Sequence, residues 1–323
     1  MNGATKLQPT RVSCAAAALI LVFLFAQAAA ADTRHVVFVG GPDSHGYGEH
    51  EHTAGVTLLG SLLDELHDGI TTEVHTGGWP DNPAVFDEAD AVVIYADGGS
   101  GHPLLPHLDA FEEVMARGVG LVCLHFAVEP AEDKGRDAFL AWLGGYFETH
   151  WSVNPFWTTR DPELAGGQDH PIVRGVEPYE INDEWYYHMR FREDMEGIQP
   201  IYSALPPESS LERGDGPHSN NPHVREAILE RGEIQHVAWA AERDGGGRGF
   251  GFTGGHYHWN WGHPMHRQQV LNAIAWAAHA DVPDDGVGPG EVAFEDLLEN
   301  LAAERPAGFD LDSWRDRFEA WNR

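Results

Sequence analysis

Histidines and carboxylates occur together in glycine-rich segments that follow apolar runs of this chain. The first segment, residues 40–52, contains three histidines and two glutamates within eight residues. Imidazole and carboxylate groups transfer protons near neutral pH and bind transition metals, so this segment is a candidate site. It also precedes a predicted helix, whose amide groups could hold an anion. Alternatively, these side chains cap that helix or are exposed to solvent.

The second segment, residues 120–127, places His125 where an apolar strand ends abruptly before a helix. Hydrolases and amidotransferases place their nucleophile at such a sharp turn. Cys123 lies inside the apolar run, so we expect its thiol to be buried and inert. His125 in that position suits a general base or a metal ligand. The alternative is a packed histidine with a satisfied hydrogen bond.

The third segment, residues 254–261, contains His256 and His258 two positions apart. If the segment continues a strand, both imidazoles point to the same face and could bind a metal. On a loop this spacing has no such meaning. Trp259 could stack on a sugar ring or belong to the core.

The fourth segment, residues 183–190, combines acidic, aromatic and basic side chains. Glu184 is the candidate general acid or base. If it lies beneath Trp185 and Tyr187, desolvation would raise the pKa of its carboxyl toward neutrality. Alternatively, Glu184 pairs with Arg190 or Arg192.

Three sets of candidate residues follow from these segments. The catalytic candidates are His125, Glu184 and His256. The substrate-binding candidates are His45, Asp97, His102, His150, Trp185, Tyr187 and Trp259. The candidate ligands of a divalent metal, either zinc, manganese or iron, are His45, His52, His125 and His258. A nucleotide cofactor is not expected, because residues 40–52 lack the Gly-Lys-Ser/Thr of a P-loop and fit no dinucleotide fingerprint.

The elements that would position these residues alternate between strand and helix. Strands are predicted at 35–40, 71–75, 91–95, 119–124, 224–229, 235–241 and 249–253, and helices at 53–66, 104–117 and 265–279. This alternation predicts a doubly wound, mostly parallel sheet with helices on both faces, in which ligands bind beyond the carboxyl ends of the strands. Residues 150–223 are expected to form an irregular insertion over those strand ends. Two acidic amphipathic stretches, 291–304 and 311–322, are expected to be helices.

The ordered motifs resemble the ThuA-like (trehalose-utilisation) family. They are Ser44-His45-Gly46, Asp97-Gly98-Gly99, Leu124-His125-Phe126-Ala127, Gly144-Gly145-Tyr146-Phe147-Glu148, Asp183-Glu184-Trp185-Tyr186 and Gly254-Gly255-His256, within residues 35–283. The resemblance implies a flavodoxin-like fold of the class I glutamine amidotransferase type, and a disaccharide or 3-keto sugar as substrate. Since His125 stands where an amidotransferase has its cysteine nucleophile, glutamine hydrolysis is not expected.

Residues 1–31 read as a secretory leader, with Lys6 and Arg11 before a short apolar run that ends in small residues. The sequence therefore predicts three regions, which are the leader 1–31, a main domain 32–283 and an acidic helical extension 284–323. We therefore expect export to a periplasmic or extracellular location. The alternative is an uncleaved anchor helix. After cleavage only Cys123 of the two cysteines remains, so no internal disulfide can form.

The formal net charge of −31 argues against nucleic acid and anionic membranes as partners of the mature chain. A small saccharide is the expected partner, processed by acid–base and metal-assisted isomerisation, elimination or hydrolysis. One alternative is a non-catalytic carbohydrate-binding module whose acidic tail docks a partner enzyme. Another is a hydrolase or amidotransferase that depends on Cys123.

Overall fold

The structure of the protein is a computed structural model that describes residues 1–3, 33–165 and 169–323. The expected leader, apart from its first three residues, lies outside the described residues. In the described part of the chain, no helix combines the length and the apolar character needed to cross a bilayer.

The elements alternate between strands and helices through most of the described chain. The strands are β1 Arg34–Gly40, β2 Ile70–His75, β3 Ala91–Tyr95, β4 Gly120–Leu124, β5 Gly145–Tyr146, β6 Trp157–Thr158, β7 Asn182–Asp183, β8 Arg190–Phe191, β9 Ile198–Ala204, β10 Gln235–Glu242 and β11 Arg248–Phe252. The α-helices are α1 His52–Leu66, α2 Leu108–Ala116, α3 Arg136–Trp142, α4 Pro222–Arg225, α5 Pro264–Ala277 and α6 Leu311–Trp321.

A seven-stranded sheet in the order β2-β1-β3-β4-β11-β10-β9 forms the centre of the fold. Strands β2, β1, β3, β4 and β11 are parallel neighbours, and β10 and β9 are antiparallel. The predicted doubly wound, mostly parallel α/β fold is therefore confirmed. Every residue of β3 and β4 is buried, as expected for apolar strands covered on both faces.

Two apolar cores lie on opposite faces of this sheet, because successive strand residues point to opposite sides. One face packs Phe38 of β1 and Val93 of β3 against α1 and α5. The other face packs Cys123 of β4 against α2 and α3, which contribute Phe111 and Trp142. This layered packing fixes the edge at which β1, β3, β4 and β11 all end.

Two sequence predictions about the second half of the chain are wrong. Residues 224–229, predicted as a strand, form the end of α4 and a π-helical turn over Glu226–Glu230. The side chain of Asn221 caps this helix by accepting hydrogen bonds from the amides of His223 and Val224, both at 3.0 Å. Residues 150–223, predicted as an irregular insertion, also contain the regular strand β9. This strand extends the main sheet beside β10.

The extension after position 283 packs on the same compact unit as the sheet. Only a short 3-10 turn, Asp296–Leu298, forms within the predicted helix 291–304, whereas α6 matches the predicted helix 311–322. Phe294 and Leu297 are buried, and the backbone amide of Ala302 donates a 2.7 Å hydrogen bond to the carboxylate of Glu51. The extension therefore braces the loop that precedes α1.

Candidate functional site

The carboxyl ends of four adjacent strands bring one polar cluster together. The loops after β1, β3, β4 and β11 supply His50, Asp97, His125 and His256, and the insertion adds Glu184 directly after β7. These strands are neighbours in the sheet although they are distant in sequence. Open parallel sheets bind ligands at this edge.

Four of these side chains converge on one point, and we call them the histidine–glutamate cluster. His50 Nε2 lies 3.1 Å from His125 Nε2 and 3.0 Å from His256 Nδ1. Glu184 Oε2 lies 3.2 Å from His256 Nδ1 and 3.5 Å from His125 Nε2. All four ligand atoms lie within 4.8 Å of one another. The three imidazoles are at most 4% exposed, so the cluster is shielded from bulk water.

Acceptors behind two of the imidazoles decide which ring nitrogens are protonated. His50 Nδ1 lies 2.8 Å from the carboxylate of Asp97, and His125 Nδ1 lies 2.8 Å from the carbonyl oxygen of Thr253. Both oxygens only accept hydrogen bonds, so each Nδ1 donates and each neutral ring keeps a lone pair on Nε2. Two lone pairs therefore face each other across 3.1 Å. The hydroxyl of Tyr186, 3.2 Å from His125 Nε2, is a donor within reach of that nitrogen.

The ionisation of the cluster differs from the expectation for Glu184. Burial raises the pKa of the Glu184 carboxyl, but hydrogen bonds and charge interactions with His125 and His256 outweigh it and lower the pKa to about 2. The condition for the predicted rise is not met, because the carboxylate lies against the imidazoles of His125 and His256 rather than beneath Trp185 and Tyr187. Burial lowers the pKa of His50 to about 2, although its hydrogen bond to Asp97 opposes that effect. Glu184 is thus an anion. Burial acts to lower the pKa of His256, but its hydrogen bond to Glu184 and the charge of that carboxylate outweigh burial and raise the pKa.

A buried carboxylate positions two members of the cluster. Asp183 is 0% exposed and accepts hydrogen bonds from the amides of Gly255 at 2.8 Å and His256 at 3.1 Å. It also accepts from the amide of Glu184 at 2.8 Å and from Nδ2 of Asn260 at 2.9 Å. Four donors satisfy the two oxygens, so the segments that contain Glu184 and His256 are fixed against each other.

The backbone around the cluster is strained. His45, His50 and His125 all have positive φ, at 68°, 45° and 54°, which is uncommon outside glycine and occurs often at functional sites. Gly41 allows the loops after β1 and β3 to meet, because a Cβ there would lie 2.6 Å from the Cβ of Ala96. This close approach brings His50 within hydrogen-bond distance of Asp97.

The predicted metal ligands are only partly brought together. His125 belongs to the cluster, and His45 stacks on the His50 ring at 3.7 Å from the exposed side. His52 instead directs Nδ1 to the carbonyl of Pro42 at 2.8 Å and stays outside the four-residue set. His258 also lies outside it, because β11 ends at Phe252 and a 3-10 helix begins at His258, so strand alternation does not apply.

The predicted sugar-stacking aromatics are core residues. Trp185 and Tyr187 are 0% exposed, and Trp259 is 1% exposed beneath the aromatic side chains of the extension. Trp185 packs against Phe252 and Tyr187 packs against Trp157, as aromatic rings in a core do. The sequence analysis missed Phe156, which is 48% exposed and lies edge-on 4.9 Å from the His256 ring. Phe156 is thus an exposed aromatic side chain at the border of the cluster.

The remaining candidates lie away from the cluster or beneath it. His102 is buried against Phe139, with Nε2 3.0 Å from the carbonyl of Ala127. The His150 side chain is 60% exposed and lies 3.7 Å from a carboxylate oxygen of Glu132. Neither residue therefore contacts the cluster.

The buried state of Cys123 is confirmed. Its side chain is 0% exposed inside β4, and burial raises the pKa of the thiol. A thiolate is the reactive form, so this position does not suit a nucleophile.

A family model described as ThuA, trehalose utilisation, matches residues 36–277 of the chain. The crystal structure of a ThuA-like protein from Bacteroides uniformis is similar, with 14% sequence identity and a TM-score of 0.51, covering 77% of this chain and 93% of that one. A ThuA-like protein from Parabacteroides merdae has 16% identity and a TM-score of 0.49, over 79% of this chain and 94% of that chain. Among curated proteins none matches this chain significantly. At its low identity the Bacteroides uniformis structure indicates the fold alone.

Proposed function

The chain belongs to the ThuA family, described as trehalose utilisation, and from that premise we propose that it is an exported enzyme acting on a saccharide. The reaction takes place at a divalent-metal site formed by the histidine–glutamate cluster. The proposed substrate is a disaccharide or its 3-keto derivative, in keeping with the family description.

The pair of opposed lone pairs is the observation that most supports a metal here. His50 Nε2 and His125 Nε2 are 3.1 Å apart, and the acceptors behind both rings keep both nitrogens unprotonated when the rings are neutral. The hydroxyl of Tyr186 can donate to one of these nitrogens, but a cation shared by both would satisfy the two lone pairs together in a buried space. Histidines that bind metals commonly donate their other ring N–H to a carboxylate or a carbonyl, as these two do.

The distances within the cluster also fit one metal ion. Ligand atoms at about 2.0–2.2 Å from a shared metal are separated from their neighbours by about 3.0–3.5 Å. The four recorded separations are 3.0, 3.1, 3.2 and 3.5 Å. Three imidazole nitrogens and one carboxylate suit zinc, manganese or iron. When bound, such a metal polarises a carbonyl or hydroxyl oxygen of the substrate.

The side chains at the edge of the cluster suit a polar substrate. Ser44 donates to Asp97 at 2.9 Å, and His45 is exposed above His50, so hydroxyl, carboxylate and imidazole groups face the opening. Phe156 offers an apolar ring face for the carbon atoms of a sugar. In this proposal Glu184 remains ionised and holds the metal rather than transferring a proton.

Metal analysis of the untagged mature protein tests the proposal. We expect close to one equivalent of a first-row metal, a lower Tm after chelator dialysis, and loss of the metal in His50→Ala and His125→Ala. The matched control is His35→Ala, at the opposite end of β1, which should keep the metal. A wild type without metal whose Tm does not change on chelation would refute the metal site.

Turnover assays decide between an enzyme and a binding module. We expect the metal-loaded protein to convert a 3-keto disaccharide, with conversion lost in His125→Ala. Tight saccharide binding by calorimetry without any product would favour the carbohydrate-binding module instead.

A further inference from the structure

A second imidazole–carboxylate pair lies outside the histidine–glutamate cluster. The carboxylate of Glu129 is 3% exposed and lies 2.8 and 3.0 Å from Nε2 of His218. The hydroxyl of Thr149 donates a further hydrogen bond to Glu129 at 3.2 Å. Glu129 ends the turn that begins at His125, whereas His218 comes from the insertion, so the tertiary fold creates this pair.

The contacts of this pair decide which nitrogen of His218 can react. A carboxylate accepts, so Nε2 of His218 donates and the neutral ring keeps its lone pair on Nδ1. Within residues 33–165 and 169–323 no protein hydrogen bond is made to Nδ1, and the side chain is 35% exposed. One face of the ring stacks on Phe147 at 5.2 Å. The hydrogen bond to Glu129 raises the pKa of His218, as expected for an imidazole that can hold a transferred proton.

The His218 backbone is held in a strained conformation. Its φ is +59°, a region that costs a non-glycine residue about 1–3 kcal/mol. Three hydrogen bonds hold it there: its amide donates to Thr149 at 2.8 Å, and its carbonyl accepts from the Asn154 amide at 3.1 Å and from Arg213 at 2.8 Å.

Two side chains link the pair to the histidine–glutamate cluster. The ring of Phe126 lies 6.0 Å from His50 and 6.5 Å from His218, so one aromatic side chain separates the two imidazoles. Asn154, whose amide bonds to the His218 carbonyl, also donates through Nδ2 to Glu184 at 3.1 Å. His218 therefore lies one side chain away from the cluster, within the reach of a substrate as long as a disaccharide.

We propose that His218 is the catalytic acid–base residue of this site and that Glu129 is its positioning residue. This inference rests on the proposed function. His218 Nδ1 removes a proton from the carbon next to the carbonyl of a keto sugar. The electron pair of the broken C–H bond moves onto the carbonyl oxygen, and the imidazolium then returns the proton to the substrate. Glu129 fixes the tautomer and stabilises the imidazolium, as a carboxylate does behind a catalytic histidine.

Exchange of substrate hydrogen with solvent tests this role directly. The metal-loaded protein is incubated with a 3-keto disaccharide in D2O, and deuterium at the carbon next to the carbonyl is followed by NMR. We expect His218→Gln to slow incorporation about 10²–10⁴-fold, the usual contribution of a general acid or base. The metal content should stay at the wild-type level. His35→Gln should exchange as the wild type does.

The Glu129→Gln variant separates positioning from simple structural support. It should keep the metal and shift the pH dependence of exchange to lower pH, because the imidazolium of His218 loses its stabilising anion. Glu184 and Arg213 are the other charged groups that act on His218, and they are unchanged in this variant. Full exchange by metal-loaded His218→Gln would overturn this inference and leave the metal proposal intact. A wild type that binds no metal would instead refute the proposed function.

Discussion

Replacing Asp183 with asparagine tests whether a buried carboxylate organises the site. Its Oδ1 accepts from the amides of Glu184 at 2.8 Å and His256 at 3.1 Å. Its Oδ2 accepts from the amide of Gly255 at 2.8 Å and from Asn260 at 2.9 Å. In Asp183→Asn one oxygen becomes an NH2 group, so two of the four donors face another donor whichever way the amide is turned.

The magnitude follows from these contacts. A hydrogen bond to a charged group contributes about 1.5–3 kcal/mol, so losing two costs about 3–6 kcal/mol. Relief of the buried charge offsets part of this loss, and we expect the free energy of unfolding to fall by about 3–5 kcal/mol. Native proteins are stable by about 5–15 kcal/mol, so the variant should still fold if the wild type is stable by more than about 6 kcal/mol. The His256 amide would lose its anchor, so metal affinity should fall as well.

Urea unfolding followed by tryptophan fluorescence measures the change in stability. The matched control is Asp81→Asn, an exposed aspartate, which should alter stability by no more than about 0.5 kcal/mol. A loss below about 1 kcal/mol in Asp183→Asn would show that the four hydrogen bonds do not hold this part of the structure. Unchanged metal affinity would refute the link from Asp183 to the position of His256.

Three further predictions follow from other parts of the fold. Gly48→Ala should destabilise the protein by more than about 2 kcal/mol in urea unfolding, because φ is +77° and the added Cβ would lie 2.2 Å from Nε1 of Trp259. In Gly77→Ala, φ is +82° and no atom lies within 4 Å of the added Cβ, so the free energy of unfolding should fall only by the backbone strain of about 1–2 kcal/mol. Equal losses of stability in the two variants would contradict the steric argument. Cys123 should resist a thiol reagent in the native protein and react in denaturant, and rapid native labelling would contradict its burial. Because the pKa of His218 is raised above 6.5 in the folded state, its contribution to stability should be fully present below pH 6.5 and disappear as the pH rises through the folded pKa; a stability difference between wild type and His218→Gln that stays constant with pH would contradict this.

Local sequence patterns predicted the main sheet well. The runs at 91–95 and 119–124 became β3 and β4 almost to the residue, because fully apolar segments of that length are stable only when both faces are covered. The pattern predicted a strand at 224–229, where an asparagine–proline cap favours a helix instead. It also missed β9, because residues 198–204 show no clear alternation of apolar and polar side chains. The secondary structure of a short segment depends more on the elements packed around it than on its own residues.

The sequence by itself determined where to look: the parallel sheet, its carboxyl edge, and His125, Glu184 and His256 as residues at that edge. It could not determine which atoms meet. His50 joins the cluster and His258 does not, because one loop turns back toward β3 whereas the other begins a helix. The charge state of Glu184 was likewise decided only by the imidazoles that the fold brings beside it. Distances and pKa values depend on contacts between segments far apart in sequence, and only tertiary packing fixes those contacts.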